Sequence, residues 1–387
     1  MIYTEDHLQM MTSIRRFIDA EVNPFIQEWE DAQFFPAHEL FRKMGALGFL
    51  GVNREEAYGG LGLDFTYSIA VAEAMGHAAA GGIGMAVGMQ TDMAVPALAL
   101  HGSDELKRDY LAPSISGEYV AALGVSETNA GSDVASVKTS ARRDGDDYVI
   151  NGHKMWITSG TQADWICLLA NTSEGPAHKN KSLIVVPLKE EGGRRPKGIE
   201  MQKIRKLGNW CSDTAQIFFD NVRVPRRNLI GEEGKGFVYQ MQQFQEERLN
   251  GAARRLASQN LIDATVEYLR QRIAFGKPIL SNQFVQFKLA ELKTELCALR
   301  GLVFLATDAY MQKQDVTEMA SMAKLKATRL SREIADWCLQ FWGGMGYTWE
   351  SSTARAFRDS RLGSIGGGAD EIMLTIIARK MGLESMA

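Results

Sequence analysis

Residues 124–165, GVSETNAGSDVASVKTSARRDGDDYVINGHKMWITSGTQADW, hold the densest set of residues able to do chemistry. A short apolar run breaks there into a loop at 129–133 built of Asn, Ala, Gly, Ser and Asp. Such a loop presents several backbone N–H groups at once, which suits a phosphate or another electron-rich ligand; an ordinary polar loop has the same composition. An acid of another kind stands far downstream in FQEERLNGAARRL. Phe237, Met241, Phe244 and Gly251 follow helical steps along much the same face as Glu247, so this acid is expected to be buried rather than solvated. Glu246 is about 100° round the helix and cannot share that face. Trp156 taken alone reads as a β-domain core aromatic, and Gly343-Gly344 as a helix C-cap.

The elements that must position these residues change period twice along the chain. In residues 1–118 the pattern is helical. Leu8, Met11, Ile14, Phe17, Ile18 and Val22 recur at helical spacing, with Thr4 as N-cap and Pro24 as the stop. A second helix follows Pro36, apolar helices fill 65–100, and a short one opens at Ser103 and closes at Pro113. In 119–232 the pattern turns to strands. Asp144-Gly145 and Asn151-Gly152 each sit between strand-like residues as tight hairpin turns of a β-meander, and further runs lie at 165–169, 182–186 and 216–219. In 233–387 long helical patterns at 237–270, 282–312, 317–341 and from 370 indicate a four-helix bundle. The fold expected is α+β and multidomain: an all-α N-terminal domain, a middle antiparallel β-barrel or sandwich, and a C-terminal bundle.

Composition excludes several classes. With 387 residues, 45% hydrophobic and 23% charged, the chain is long enough for two or three domains with a substantial core. Its formal charge of −4 gives no reason to expect nucleic acid. Four dispersed cysteines and six unpaired histidines predict reduced thiols and no metal site. The apolar stretch 68–89 is interrupted by Glu73 and His77 and broken at Gly81-Gly82, so no membrane span is expected. MIYTEDHLQM reads as neither signal nor transit peptide, which predicts a cytoplasmic protein of bacterial type.

The run VSETNAGSDV followed by MWITSG resembles the flavin-contacting signature of the acyl-CoA dehydrogenase family. RIAFGKPI at 272–279, QFWGGMGY at 340–347 and the ending FRDSRLGSIGGGADEI are similar to that family's later motifs, in its order and over nearly the whole length. The resemblance implies FAD as cofactor. Val125 and Ser126 would meet the isoalloxazine edge, Trp156 would pack on the ring with Thr158 beside it, and Gly131 and Ser132 would lie near phosphate or substrate. Arg272 and Phe275 would reach the cofactor from a neighbouring subunit, with Gln283, Gln340, Gly343 and Gly344 in similar parts and Ala369 beside it. Ala274 stands where the family usually has Thr, which removes one contact.

Most members of the family carry a catalytic glutamate in an IYEGT-like segment, and here that position is Gly367 within 365–369. The isovaleryl and long-chain branches place the acid on the first bundle helix before an arginine, which matches Glu247 and Arg248. The resemblance therefore implies that Glu247 abstracts the α-proton of an acyl-CoA while hydride leaves to flavin N5, with Glu371 as the rival acid. The thioester oxygen would accept from the Gly367 N–H, and Arg248 and Ser132 would hold Glu247 and the CoA arm. An unperturbed carboxylate, near ~4.3, is a weak base for such a proton, so burial must raise it. Gly366, Gly367 and Gly368 would leave room for a branched or bulky chain, and the Met- and Ala-rich stretch 85–99 would line an adaptable tunnel; citronellyl-CoA is one such substrate. The partners implied are the acyl-CoA, electron-transfer flavoprotein as acceptor, and further copies of the chain in a homotetramer, a dimer of dimers. A flavin monooxygenase or nitroalkane-oxidase-like enzyme of the same fold is the alternative.

Overall fold

A computed structural model describes residues 3–383. Eight helices come first: α1 (Glu5–Glu21), α2 (Ile26–Ala32), α3 (Ala37–Ala46), α4 (Phe65–Met75), α5 (Gly81–Gly88), α6 (Pro96–His101), α7 (Asp104–Leu106) and α8 (Ala112–Ser116). Ser103 caps the α7 turn by accepting from the Leu106 N–H at 3.2 Å. Pro113 does not end the run as expected. It sits in the first turn of α8, where its missing N–H costs nothing, and the stop falls at Gly117. A wide π-turn at Met89–Ala94 joins α5 to α6. By length and composition Gly81–His101 is apolar enough to cross a membrane, but 72% of its most apolar window is buried inside the protein.

The middle region is one mixed sheet in the order β6-β7-β3-β2-β4-β5-β8, with β1 paired to β4. Its strands are β1 (Ala121–Gly124), β2 (Ser140–Asp144), β3 (Asp147–Thr158), β4 (Trp165–Asn171), β5 (Lys181–Pro187), β6 (Ile199–Lys203), β7 (Thr214–Pro225) and β8 (Leu229–Ile230). The antiparallel barrel or sandwich is thus corrected: β1 runs parallel to β4, the path has two ends, and the sheet is not closed. Only one of the two anticipated hairpins forms. Asp144 pairs with Asp147, so the turn is Gly145-Asp146, one residue later than the sequence suggested. Asn151-Gly152 is no turn but a bulge inside the continuous β3. Gly152, at φ 139°, sits against Thr139, where a side chain would clash with the neighbouring backbone.

Six further helices follow: α9 (Gly236–Arg254), α10 (Ser258–Gln271), α11 (Gln283–Met311), α12 (Thr317–Trp342), α13 (Ser352–Ser360) and α14 (Asp370–Lys380). The single run expected over 237–270 breaks at 255–257. There the Arg255 guanidinium takes the Gly251 carbonyl at 2.7 Å, and the Arg255 N–H turns to Ala252 instead. One apolar cluster joins the N-terminal helices to the sheet, and another joins α4 to the bundle through Phe65, Ile69 and Ala72. The three regions are also clasped by buried acids. Asp359 accepts from the N–H groups of Gly81 and Asn209 at 2.9 and 2.6 Å, and Glu30 binds the Cys211 N–H and Arg358.

Candidate active site

Glu247 lies in the C-terminal half of α9 and is only 8% exposed. Its Oε2 has no hydrogen-bond partner among the described residues. Burial pushes its pKa up to about 7; Arg248, Lys324 and Arg254 pull down while Asp92 pushes further up. Arg248 makes no ion pair with it. The guanidinium approaches the Ser321 hydroxyl at 3.4 Å and lies 5.6 Å from the Phe244 ring centre, as expected for the next residue round a helix. Glu371, on the first turn of α14, is exposed.

Against Glu247 stands the glycine loop before α14. Gly367 has φ +63°, and a Cβ placed on it would lie 3.2 Å from Glu247 Oε1. Lys324 fastens this loop by donating to the carbonyls of Gly363, at 2.7 Å, and Gly368. Burial depresses Lys324 to about 8. The three glycines do not open equal space: the thioether methyl of Met373 fills the side of Gly368, while Gly366 meets Leu362 only at ordinary contact. Ala369 is the N-cap of α14 and is half-buried.

On the sheet side, the 125–133 loop is held by a buried ion pair that the sequence reading missed. Glu127 and Lys154 meet at 2.9 Å and are nearly water-free. Burial alone would raise Glu127, but Lys154, the Thr139 hydroxyl and the N–H groups of Lys138 and Thr139 hold it at about 2. Burial lowers Lys154 to about 8 against the pull of Glu127. Lys154 also donates to the Val125 carbonyl, and the Met155 N–H to that of Ser126. No sequence signal marks the pair: a loop glutamate and a strand lysine 27 positions apart look solvated.

A second irregularity of β3 falls between Lys154 and Ile157 and puts Trp156 at φ +66° with its ring 58% exposed. A bulky residue in that conformation is strained, and strain of this kind gathers at functional sites. Trp156 is thus not the core aromatic it suggested in isolation. Ser126 and Thr158, both half-buried, carry hydroxyls without a protein partner among the described residues, and Ser132 is exposed. A Cβ at Gly131, Gly343 or Gly344 would meet nothing within 4 Å. A flat ring with a polar edge and a phosphate tail is the ligand such a set fits: an uncovered indole, free hydroxyls and open backbone.

Arg272, Phe275 and Gln283 stand at the connection between α10 and α11. The hairpin of β9 (Ile273–Ala274) and β10 (Lys277–Pro278) turns through Phe275-Gly276, with Phe275 at φ +51° and 104% exposed. Arg272, Gln283 and Gln340 are exposed and without side-chain partners among the described residues. Within one chain they complete no site. Gly343 does serve as the C-cap of α12, its N–H reaching the Gln340 and Leu339 carbonyls.

Comparison with known proteins accords with this architecture. Three family models match in sequence: "Acyl-CoA dehydrogenase, N-terminal domain" over 4–118, "middle domain" over 122–222 and "C-terminal domain" over 234–382. The pig mitochondrial long-chain specific acyl-CoA dehydrogenase is 38% identical over 98% of this chain and 87% of that protein. Rice mitochondrial isovaleryl-CoA dehydrogenase is 35% identical over 98% and 92%. The crystal structure of acyl-CoA dehydrogenase from Geobacillus kaustophilus superposes with TM-score 0.91 at 36% identity, covering 98% of both chains. The chain belongs to the acyl-CoA dehydrogenase family. It is an FAD-dependent oxidoreductase that dehydrogenates acyl-CoA.

Proposed function

We propose that this chain converts an acyl-CoA thioester to its trans-2-enoyl-CoA with Glu247 as the base. The observation that carries this reading is the Glu247 carboxylate itself: buried, with one oxygen unpartnered, raised to about 7, and set against the Gly367 backbone. A carboxylate poised near neutrality takes a weakly acidic proton far better than a solvated one. Once protonated it is neutral, which the dry site favours. The Gly367 N–H, on a loop fastened by Lys324, would polarise the thioester oxygen; losing such a donor typically costs ~10²–10³ in rate. Val125, Ser126, Trp156 and Thr158 would hold the flavin ring, and Gly131 and Ser132 would lie by the phosphates or the CoA arm. Arg248, turned toward Ser321, would act on Glu247 through its charge alone. Bound there, FAD supplies the acceptor for the β-hydrogen and its electron pair.

Arg272, Phe275 and Gln283, with Gln340, Gly343, Gly344 and Ala369, would complete the cofactor site between subunits, so the assembly proposed is a homotetramer of paired dimers. The bare Phe275 ring and the exposed Phe284 and Phe287 support a partner there. Electron-transfer flavoprotein is the proposed acceptor, and the cytoplasm the proposed location. The space beside Gly366 supports a branched or bulky chain such as a terpenoid acyl-CoA, citronellyl-CoA among them. A cavity of about 340 Å³ reached at Arg254, one helix end away from Glu247 and lined in part by Met75, Ala78, Ala79, Ala80 and Met85, is the space proposed for the far end of a longer chain.

The test is anaerobic bleaching of the flavin's visible absorption by short, long and branched acyl-CoAs, wild type beside Glu247→Gln. Bleaching in wild type alone is expected. Equal bleaching in both would remove Glu247 from the role, and a flavin bleached by none but quickly reoxidised by air would favour the oxygen-using alternative.

A further inference from the structure

On α9, Gln240, Gln243, Glu247, Asn250 and Arg254 recur at alternating steps of three and four, which gathers them within about 80° of one face. All are buried or nearly so, and each keeps a polar atom without a partner among the described residues. These atoms are both amide atoms of Gln240, Oε1 of Gln243, Oε2 of Glu247, Oδ1 of Asn250 and Nε of Arg254. A packed helix normally presents an apolar stripe at this spacing. The face looks toward α5 and the π-turn, since Gln243 Nε2 donates to the Met93 carbonyl. Arg254 lies across two glycines of α5. A Cβ on Gly84 would come within 2.8 Å of its Cδ, and one on Gly88 within 2.5 Å of its Nη2. A larger residue at either position would force the guanidinium to shift. Its Nη2 meets Asp92 at 3.1 Å, and Arg254 also lines the 340 Å³ cavity.

We propose that this wall selects an acyl-CoA whose chain carries a neutral oxygen function, a hydroxyl or ketone, well beyond the reacting carbons. Arg254 is the residue that reads this oxygen, and Asn250 lies beside it. The inference rests on the dehydrogenase reading with Glu247 as base, and it narrows the chain to an oxygenated one, which sets aside the all-hydrocarbon citronellyl group. A bare hydrocarbon laid on the stripe would leave each orphan group desolvated and unbonded, whereas an oxygen would give one of them its missing partner. Arg254 stands seven residues past Glu247, about 10 Å along the axis, which sets the oxygen in the distal part of the chain. The group is neutral because the Arg254 guanidinium already faces Asp92 at 3.1 Å and its Nε is left without a partner among the described residues, a place for one accepting oxygen. Arg54, Arg248, Lys324 and Arg255 also carry charge near this wall, engaged with the Thr91 carbonyl, the Ser321 hydroxyl and the carbonyls of Gly363, Gly368 and Gly251, so the carboxylate chain is the decisive control.

The experiment uses three acyl-CoAs of equal chain length, ending in a methyl, a distal hydroxyl or a carboxylate. They are given to the FAD-loaded wild type, to Arg254→Lys, and to Arg254→Leu combined with Asp92→Asn so that no carboxylate is stranded. kcat/KM is read by flavin bleaching, and dissociation constants by calorimetry in a Glu247→Gln background, where recognition is measured without turnover. Wild type should favour the hydroxyl chain over the methyl chain by at least about tenfold in both readouts. The double variant should lose or invert that ratio, and Arg254→Lys should keep part of it. A wild-type preference for the methyl or carboxylate chain overturns the inference, as does a double variant that weakens all three equally. Failure of the dehydrogenase reading looks different: no chain bleaches the flavin, while the calorimetric ratios still decide the role of Arg254.

Discussion

Gly367 and Glu247 address one point in space: a Cβ on Gly367 would lie 3.2 Å from the Oε1 of Glu247. One belongs to the loop before α14 and the other to α9. A glutamate on the loop would project toward the volume that the helix acid already occupies, so a single carboxylate suffices there. The left-handed backbone at Gly367, φ +63°, is the conformation a glycine adopts without strain.

The proximity yields an exchange experiment. Glu247→Ala should lose about 10²–10⁴ in the bleaching rate, the usual reach of a positioned base. Adding Gly367→Glu to that variant should recover part of the loss, limited by the strain of a side chain at positive φ, on the order of 1–3 kcal/mol. Stopped-flow rates of single, double and wild-type proteins decide it. A double variant no faster than Glu247→Ala would mean that the two positions do not serve one site.

Glu247 also gives activity and stability opposite pH slopes. Its folded pKa is raised, about 7 against an ordinary 4.5, by burial first and Asp92 among the rest. The base works deprotonated, so kcat/KM should climb as pH rises through about 7. In stability the sign reverses. Between about 4.5 and 7 the folded state holds the proton that the unfolded state has released, so this contribution is full below 4.5 and falls as pH rises. Glu247→Gln should flatten that segment of the urea-midpoint profile. Asp92→Asn should move the activity midpoint lower; an unmoved midpoint would exclude Asp92 from tuning the base.

The sequence signal for a buried Glu247 is Phe237, Met241 and Phe244, yet those three are only half-buried, and the residues that share its buried face are Gln240, Gln243 and Asn250, which no apolar pattern marks. The long bundle helices were legible because apolar residues recur along them at helical spacing. Sheet topology was not, since nothing local in ALG or WICLLAN says that β1 and β4 run parallel. Asn151-Gly152 misled because the residues that make tight turns also make bulges, and Thr139, distant in sequence, decides which. Trp156 was placed among cofactor residues only through motif resemblance. Its positive φ comes from a register shift between β3 and β7, and single-sequence patterns carry no register. The Glu127–Lys154 pair was invisible because two charged residues 27 positions apart look solvated until a fold encloses them.

That pair should be costly to break. Lys154→Met strands a buried carboxylate and should lower stability by about 3–5 kcal/mol. Lys154→Met with Glu127→Gln should recover part of this, because no charge is stranded and the amide oxygen can still accept from the Thr139 N–H and hydroxyl, although the Lys138 N–H then loses its acceptor. With its folded pKa near 2 against an ordinary 4.5, Glu127 contributes stability that is present above about 4.5 and lost as pH falls toward 2. Urea titrations of the three proteins, with FAD retained after dialysis as a second readout, check both statements. Equal midpoints for wild type and Lys154→Met would show that the pair does not hold the loop.

Trp156 should trade stability for function. Its φ of +66° costs about 1–3 kcal/mol, and a ring 58% exposed offers little burial to offset that. Trp156→Gly removes the strain at a cost of about 0.4–1 kcal/mol in added freedom of the unfolded chain. The apoprotein should therefore become more stable by roughly 1 kcal/mol. The holoenzyme should lose FAD more readily, since the surface proposed to cover the ring is gone. Urea midpoints of the apoprotein and FAD dissociation followed by fluorescence separate the two effects. An apoprotein destabilised by the substitution would mean that the indole is held by packing, and that the bulge of β3 is shaped for the fold rather than for the flavin.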